Sequence, residues 1–457
     1  MAEDRGTDTD VDVVIVGAGG GGLTAALAAA DVGASAVVLE KLDRPGGNTA
    51  LSTGSVPAAG TRWQAEAGID DEPERMVADL LRQSGRHQAE HLTRRLAAAS
   101  ASLVEWLVDA HGIELKLITD YKHVGHSVPR LHAPASRKGA DLVSDLVRAC
   151  DSAGVDIVTG NPVSSLVVED GRVRGVRVAG ERVEEYVVRS NAVILASNGY
   201  AANKDLVKQW APAIADATYF GAHGSTGEGI EWGLQLGGEL ANTGAYQGYA
   251  AVAYPHGSLV SWTTIEKGGV VLNRHGRRIG DETLGYSGFA ETVLADGQPA
   301  YVVFDTRIRD YVAAHEEEFR ELIDIGGVRV CETAAEVAAY AEAPVDEVAR
   351  TLESYAQSST AGVDALGRKD FGFAPLVPPY AVCRSVPGLF HTQGGLAVDG
   401  DARVCRRDGA AVPGLYAIGG VAAGISGRDG GRGYSSGNGL LAALGLGRLA
   451  ATACTGA

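Results

Sequence analysis

Cysteine is scarce in this sequence, and the spacing of its five residues excludes several redox groups. Cys150, Cys331, Cys383, Cys405 and Cys454 lie far apart, and no two of them form a CxxC pair. The sequence therefore excludes a CxxCH haem site, a ferredoxin-type iron–sulfur cluster and a CxxC redox pair. We interpret the cysteines as reduced thiols of a cytoplasmic protein, and we predict no metal site.

Positive charge and long apolar runs are also lacking. The formal net charge is −17, which argues against nucleic acid and anionic membranes as partners because both require a basic face. No apolar run reaches about 18 residues without a charge, a Gly or a Pro, so no transmembrane helix is predicted. Residues 1–10 are polar and acidic, and they lack the cationic and apolar regions of a signal peptide. These features predict a cytoplasmic location.

The length and composition predict a globular protein of two domains. The chain has 457 residues, which is too many for one compact core, and 45% of them are hydrophobic. Residues 11–16 and 35–40 predict buried strands that flank a glycine-rich loop and a helix over 23–32. The middle of the chain differs in character and contains acidic helices such as Ala313–Leu322. We interpret this middle part as an inserted second domain.

The run GAGGGG fits the dinucleotide-binding pattern G-x-G-x-x-G, with Gly17, Gly19 and Gly22 at its glycine positions. Glycines there let the backbone approach a pyrophosphate at the N-terminus of a helix. Glu40 ends the second strand 18 residues after Gly22, where its carboxylate can accept hydrogen bonds from a ribose. The pattern thus predicts a dinucleotide but does not distinguish FAD from NAD.

Two further segments favour FAD. Residues 44–54 form a second Gly/Ser/Thr loop of the kind that wraps a flavin, and an NAD site has no need of it. Near the other end of the chain, the strand GLYAI precedes the turn Ser436-Gly437-Asn438-Gly439 and a final helix. The N-terminus of that helix can offer backbone N–H groups to the flavin edge on which negative charge develops. Both ends of the chain are therefore predicted to build one cofactor site.

At these residues the chain resembles the superfamily of fumarate reductases and 3-ketosteroid dehydrogenases. The matching segments cover nearly the whole chain: the N-terminal loop, EKLDRPGGNTALSTGS, VILASNGYAANKDL, STGEGIEWG, GGVVLNRHGRRIGDE, HTQGGLAVD and the C-terminal GLYAIGG and SGNGLLAALGLGRLA. The resemblance implies an α/β fold with a Rossmann-like FAD-binding domain of the GR2 type, formed by residues 1–245 and 386–457. Residues 246–385 would form an α+β cap domain, with the substrate held between the two domains.

The resemblance also implies which residues bind the cofactor. They are Gly17, Gly19, Gly20, Gly22, Glu40, Lys41, Gly46, Gly47, Asn48, Thr49, Ser52, Thr53, Gly54, Val163, Ala196, Ser197, Asn198, Gly199, Gly419, Asn438, Gly439 and Leu440. Family members often have Gly-Glu after the last strand, whereas this chain has Gly419-Gly420, so the contact to the ribityl chain must come from elsewhere or from backbone. Asn48 stands near the position of the modified His in covalently flavinylated relatives, and we expect non-covalent FAD.

The residues near the flavin indicate a branch of the superfamily. Fumarate reductases hold two carboxylates with cationic side chains, and an Arg donates the proton. In this chain the Arg position falls on Tyr286 and an upstream His falls on Tyr249, while His391 matches a His of those enzymes. Two tyrosines in place of an Arg and a His remove most of the anion binding, so a dicarboxylate substrate is disfavoured.

The segment Tyr434-Ser435-Ser436-Gly437 resembles ketosteroid dehydrogenases that form the 4-ene. The resemblance implies a functional trio of Tyr286, Tyr434 and Ser436, to which His391 is added as a fourth candidate catalytic residue. Desaturation of a ketone removes an α-proton and transfers a β-hydrogen as hydride to flavin N5. Tyr434 and a backbone N–H of 437–439 would polarise the carbonyl, and Tyr286 or Ser436 would take the proton.

Five further residues are candidates for the pocket. Arg428 and Arg432 would either bind an acidic substrate group or lie in a solvated loop. His126, Arg130 and His132 would line the mouth of the pocket.

Three functions remain open from the sequence. The first is an FAD-dependent dehydrogenase that introduces a C=C bond next to a ketone, with a 3-ketosteroid, a smaller cyclic ketone or a natural-product intermediate as substrate. The second is a fumarate reductase-type ene-reductase that acts on a conjugated acid or ketone. The third is a flavin-binding subunit without turnover. The electron acceptor is unknown in each case.

Overall fold

The computed structural model describes residues 9–119 and 123–456. The α-helices span Gly20–Asp31, Gly47–Ala50, Arg62–Glu66, Pro73–Ser84, Glu90–His111, Gly139–Ser152, Lys204–Trp210, Glu228–Gln235, Thr263–Glu266, Gly285–Asp296, Thr306–His315, Glu317–Asp324, Ala334–Ala341, Val345–Ala361 and Asn438–Thr455, and short 3-10 helices span Pro212–Ile214, Glu282–Leu284 and Gly419–Val421. The strands span Thr9–Val16, Ala36–Leu39, Val56–Pro57, Lys116–Leu117, Leu131–Ala133, Asp156–Val158, Val163–Glu169, Arg172–Gly180, Val183–Leu195, Thr218–Tyr219, Leu240–Ala241, Gly244–Ala253, Val270–Asn273, Ala300–Asp305, Arg329–Cys331, Tyr380–Thr392, Gly395–Leu396, Arg403–Cys405, Ala411–Ala417 and Asp429–Gly430.

A sheet with a parallel core carries the N-terminal strand at its centre. The parallel strands lie in the order 411–417, 183–195, 9–16, 36–39 and 156–158. Val14 and Ile15 are fully buried, as expected for a strand that is covered on both faces of a parallel sheet. The strands on the two sides of 9–16 come from different parts of the chain, and such a switch point leaves a crevice at the carboxyl ends of the strands. This sheet confirms the predicted α/β class.

A second, mostly antiparallel sheet is assembled from the middle of the chain. Its long strands Gly244–Ala253 and Tyr380–Thr392 pair with each other, and Ala300–Asp305 pairs with the other edge of Tyr380–Thr392. The predicted domain boundaries at 245/246 and 385/386 fall within these two long strands. The division into an FAD-binding domain and a cap domain stays a prediction.

The first and last helices of the protein pack tightly against each other. A Cβ placed on Gly447 would lie 2.5 Å from the carbonyl oxygen of Gly21, so only glycine permits this approach of the two backbones. Both ends of the chain are thereby brought to the same layer of the fold, beside the central strand.

One predicted helix of the middle region was wrong. The residues predicted as the helix Ala313–Leu322 belong to two helices, Thr306–His315 and Glu317–Asp324. Between them the backbone of Glu316 is extended, and the Glu316 carboxylate accepts a hydrogen bond of 2.7 Å from Thr263 Oγ1. This tertiary contact overrides the local preference for a continuous helix. Among the helices of the described residues, none combines the length and apolar character that crossing a membrane requires.

Candidate functional site

One large cavity opens at the carboxyl ends of the parallel strands. Its volume is about 1020 Å³, and its lining begins at Val16 and Leu39, where the two N-terminal strands end. The lining continues through Ala196 and ends among aromatic side chains of the middle region. A cavity of this size lies at the upper limit of ordinary ligand pockets, which span roughly 300–1,000 Å³. We call the part beside the strands the cradle end and the part around Tyr249, Tyr286 and Tyr434 the aromatic end.

The cradle end is formed by the loop between the first strand and the first helix. A Cβ on Gly22 would lie 2.0 Å from the carbonyl oxygen of Gly17, so glycine is required there for the turn itself. Gly19 has a different environment, because a Cβ on it would meet nothing closer than the Gly46 oxygen at 3.8 Å. Gly19 lines the cavity and is the N-cap of the helix Gly20–Asp31. Apart from Gly20 N, which donates to Thr49 Oγ1, the first N–H groups of this helix have no intrahelical acceptor and can donate to a phosphate.

Polar groups beside this loop match the adenosine part of a dinucleotide. Glu40 is buried, and its carboxylate accepts hydrogen bonds of 2.8 Å from Ala18 N and 2.9 Å from Leu42 N. Lys41 pairs with Glu228 at 2.7 Å. The hydroxyl of Ser197 is buried at the cavity and has no hydrogen-bond partner among the described residues. A buried hydroxyl of this kind, next to a loop whose glycine backbone lines the cavity, fits the ribose and phosphate groups of bound FAD.

The second loop connects the cradle end to the aromatic end. Thr49 Oγ1 accepts a 3.0 Å hydrogen bond from Gly20 N, which ties the second loop to the first. Asn48 accepts a 2.6 Å bond from Ala222 N and donates a 3.3 Å bond to the carbonyl oxygen of Phe390. Asn48 therefore links the second loop to a strand of the second sheet.

Most of the predicted cofactor-binding residues line the cavity. These are Gly17, Gly19, Gly20, Glu40, Lys41, Gly47, Asn48, Thr49, Ser52, Thr53, Val163, Ala196, Ser197, Asn198, Gly419, Gly439 and Leu440. The remaining five, Gly22, Gly46, Gly54, Gly199 and Asn438, do not belong to its lining. Asn438, for example, is fully buried beneath the turn that precedes the last helix and donates to Ser426 Oγ.

Three of the four predicted catalytic residues form a compact group at the aromatic end. The hydroxyl of Tyr286 lies 3.2 Å from Ser436 Oγ, and the rings of Tyr286 and Tyr434 meet edge to face with centroids 6.2 Å apart. Burial holds the pKa of Tyr434 well above its ordinary value, and Tyr286 adds to this effect, while the backbone N–H groups of Gly439 and Gly437 oppose it. Tyr434 is therefore a neutral hydroxyl that can donate a hydrogen bond at physiological pH.

The fourth, His391, lies beside this group as a neutral imidazole. Its ring centroid is 6.1 Å from that of Tyr434, and burial lowers the pKa of His391 to about 4. Its Nδ1 lies 3.0 Å from the Thr392 carbonyl oxygen, which can only accept, so Nδ1 carries the proton and Nε2 accepts from the Gln393 amide at 3.0 Å. Gln393 in turn accepts from Ser426 Oγ at 2.9 Å.

Tyr249 also lines the aromatic end, but its hydroxyl is already used within the protein. The hydroxyl donates to the Val260 carbonyl oxygen and accepts from Trp262 N, both at 3.1 Å. The ring stacks on Tyr286 with centroids 5.0 Å apart. Tyr249 therefore supports the Tyr286 ring and presents an apolar face to the cavity.

One expectation about three other residues was wrong. Arg130 is buried in ion pairs with Asp71 and Asp79, and His126 and His132 are buried as well. None of these three belongs to the lining of the cavity. They lie behind the wall of the site, where Arg130 pairs with the enclosed carboxylates of Asp71 and Asp79.

Arg428 and Arg432 are exposed and lie outside the lining of the large cavity. Arg428 borders a separate cavity of about 210 Å³. The structure therefore favours the solvated-loop alternative for both arginines.

Some lining residues were missed by the sequence reasoning. Phe220, Trp262 and Phe390 contribute aromatic surface to the cavity, and Gln393 orients His391. Gln393 belongs to the segment HTQGGLAVD and lies two residues after His391, so the sequence could have indicated it as a neighbour of the imidazole. The aromatic residues carried no such signal, because their positions depend on how distant strands pair.

Comparison with known proteins agrees with this geometry. Residues 12–436 match the model of a family described as FAD binding domain. The chain belongs to this family. It is 29% identical over 434 residues to the probable fumarate reductase Ifc3 of Shewanella frigidimarina (strain NCIMB 400), covering 93% of this chain and 71% of that protein.

Two solved structures resemble this flavoprotein over nearly its whole length. A flavocytochrome c3 fumarate reductase in an open conformation has a TM-score of 0.82 and 27% identity, covering 99% of this chain and 79% of the other. The 3-ketosteroid-delta4-(5alpha)-dehydrogenase from Rhodococcus jostii RHA1, solved with 4-androstene-3,17-dione, has a TM-score of 0.79 and 26% identity, covering 99% and 98%. The predicted superfamily, its Rossmann-like fold and FAD as cofactor are confirmed, and the flavoprotein is an oxidoreductase acting on CH–CH groups.

Proposed function

We propose that this flavoprotein introduces a C=C bond next to the carbonyl of a cyclic ketone, a 3-ketosteroid or a smaller ring. The observation that carries the proposal is the group of Tyr286, Ser436 and Tyr434 hydroxyls at one end of the cofactor cavity. These groups polarise a ketone and move a proton without a cation.

The residues divide into two roles in this proposal. The neutral Tyr434 hydroxyl, with the neighbouring backbone N–H groups, donates to the ketone oxygen and stabilises the negative charge that develops on it. The α-carbon is thereby acidified, and its proton passes to Tyr286, which reacts as a phenolate held by a hydrogen bond from the Ser436 hydroxyl and becomes the neutral phenol. When bound, FAD supplies the acceptor for the hydride that leaves the β-carbon.

The walls of the aromatic end support a ring-shaped, weakly charged substrate. Phe220, Tyr249, Trp262 and Phe390 contribute flat apolar surface to the lining. The Tyr249 hydroxyl is occupied by backbone groups, and His391 is neutral with both nitrogens in contact with Thr392 and Gln393. A cyclic ketone buries its apolar carbons against such walls, whereas a dicarboxylate would lose its hydration against these neutral aromatic side chains.

The test is anaerobic titration of the holoprotein with saturated ketones, namely a 5α-saturated 3-ketosteroid and cyclohexanone, and with succinate as the dicarboxylate. We expect at least one ketone to bleach the oxidised-flavin absorbance and succinate to leave it unchanged. Tyr434→Phe should slow this reduction by about 10²–10³-fold at unchanged FAD content, since it removes a hydrogen-bond donor to the developing oxyanion.

Tyr186→Phe is the matched control, because the Tyr186 hydroxyl donates to Asn161 and lies outside the cavity lining. A flavin that none of the ketones reduces, or a Tyr434→Phe variant as fast as Tyr186→Phe, contradicts the proposal.

An ene-reductase is the second candidate, and the presence of His391 at the site favours it together with the likeness to fumarate reductases. It predicts that the dithionite-reduced protein is reoxidised by fumarate or by an enone and that saturated ketones do not bleach the oxidised flavin.

A further inference from the structure

The backbone of Ser436 is held on both sides by one segment of the chain, residues 124–130. Its N–H donates to the carbonyl oxygen of Val124 at 3.0 Å. Its carbonyl oxygen accepts a 2.9 Å hydrogen bond from Nε2 of His126, which must be the protonated nitrogen because a carbonyl cannot donate. The two hydrogen bonds hold the peptide groups on either side of the Ser436 Cα and therefore fix the direction in which its Cα–Cβ bond points.

The same segment also touches the residue that precedes Tyr286, the other partner of the hydrogen bond with Ser436. The side chain of Val124 packs against Gly285, the residue before Tyr286, since a Cβ there would lie 3.3 Å from Val124 Cγ1. Gly125 has a φ of +85°, and a Cβ on it would lie 2.2 Å from Ser435 Oγ. The segment 124–130 is therefore in direct contact with Ser435, next to Ser436.

Buried ion pairs anchor this segment. Ser127 N donates to Asp79 Oδ2 at 2.8 Å, and the same oxygen lies 2.6 Å from Arg130 Nη1. Arg130 also pairs with Asp71 at 2.7 Å. The segment that carries His126 is therefore tied to enclosed ion pairs through Ser127 and Arg130.

We propose that His126 is a positioning residue that holds the Ser436 peptide, so that Ser436 Oγ stays in hydrogen-bond contact with the Tyr286 hydroxyl. His126 does not line the cavity and acts only through Ser436. The inference rests on the proposed function, in which Tyr286 and Ser436 receive the α-proton.

The first test compares His126→Leu and His126→Gln with His132→Leu. His132 is the matched control, because it is equally enclosed and its Nε2 contacts Thr61 Oγ1 rather than the site. We expect His126→Leu to lower the limiting rate of flavin reduction by the active ketone about 10–100-fold, since small displacements of a reacting group have effects of this size. His126→Gln, which retains an N–H donor, should recover most of the rate, and His132→Leu should lose thermal stability without a comparable loss of rate. Equal rates in His126→Leu and His132→Leu would overturn the inference.

A double variant tests whether His126 acts through Ser436. If it does, His126→Leu combined with Ser436→Ala should be no slower than Ser436→Ala alone, because the two changes remove one interaction. Losses that multiply would mean that His126 acts elsewhere and would contradict the inference.

Failure of the proposed function has a separate signature. A wild-type protein that no ketone reduces defeats the proposed function, and the His126 series is then measured as reoxidation of the dithionite-reduced protein by an enone. A crystal structure of His126→Leu tests the positioning role without requiring that the protein turn over any substrate. An unchanged Ser436 peptide with its Tyr286 hydrogen bond intact in that crystal structure would refute the positioning role.

Discussion

The cradle end of the cavity is lined largely by backbone and small side chains, whereas the aromatic end is lined by side chains from distant segments. At the cradle end, Gly17 and Gly19 lie in one loop of the sequence. At the aromatic end, Tyr249, Tyr286 and Tyr434 come from separate parts of the chain. The comparison indicates that cofactor binding depends on local backbone geometry, while substrate choice depends on tertiary packing.

The largest expected effect separates two glycines of the cradle end. Gly22→Ala should destabilise the protein by about 3 kcal/mol or more, because its Cβ would overlap the backbone oxygen of Gly17. Gly19→Ala should leave the melting temperature of the apoprotein nearly unchanged and weaken FAD binding, since its Cβ would enter the cavity. Thermal melts of the apoprotein and FAD titrations measure the two effects. Equal destabilisation by both changes would contradict the local geometric requirement at Gly22.

The next effect concerns the buried imidazoles at and behind the aromatic end. Burial lowers the pKa values of His126, His132 and His391 to about 4 each, below the ordinary value of 6.5. Between these values the unfolded chain binds more protons than the folded chain, so stability falls as pH falls from 6.5 toward 4. We expect the melting temperature at saturating FAD to drop by on the order of 10 °C between pH 7 and pH 5. A His132→Gln variant should show a smaller drop, and the same drop as wild type would contradict the assignment for His132.

A pair of tyrosines tests the division of roles within the aromatic end. Tyr286→Phe should slow flavin reduction about 10–100-fold, because its hydroxyl belongs to the proton-accepting pair with Ser436. Tyr249→Phe should instead lower stability by about 1–3 kcal/mol with a smaller effect on the rate, because it leaves Val260 O and Trp262 N without their partner. Stopped-flow reduction and denaturant unfolding distinguish the two variants. A slower reduction in Tyr249→Phe together with a loss of stability in Tyr286→Phe would contradict the roles assigned to these two residues.

The smallest expected effect is at an exposed contact between Lys138 and the helix Glu317–Asp324. Lys138 lies 3.5 Å from Glu317 and 3.7 Å from Glu321, and all three side chains are about half exposed. Lys138→Met should leave the free energy of unfolding nearly unchanged, because exposed ion pairs contribute little. Unfolding at low and high salt measures this contribution. A larger loss of unfolding free energy that depends on salt would mean that Lys138 holds the helix Glu317–Asp324 in place.

The sequence predicted the strands, helices and loops of the cradle end within a few residues. The strand predicted over 11–16 spans Thr9–Val16, and the helix predicted over 23–32 spans Gly20–Asp31. These predictions succeeded because strand, glycine loop and helix lie within one short stretch, where each residue type has a local reason. The helix predicted over Ala313–Leu322 failed because Thr263, far away in the chain, binds Glu316 and breaks it.

The sequence by itself determined that this chain binds a dinucleotide, because the glycine pattern and Glu40 satisfy requirements of the local backbone. Resemblance to ketosteroid dehydrogenases and fumarate reductases also named Tyr286, Tyr434 and Ser436. Only the tertiary structure decided that Tyr286 and Ser436 share a hydrogen bond, that the Tyr249 hydroxyl is occupied, and that His126 holds the Ser436 peptide. The physical reason is that each of these contacts joins residues from segments that are distant in sequence, whose meeting depends on strand pairing and helix packing rather than on local preference.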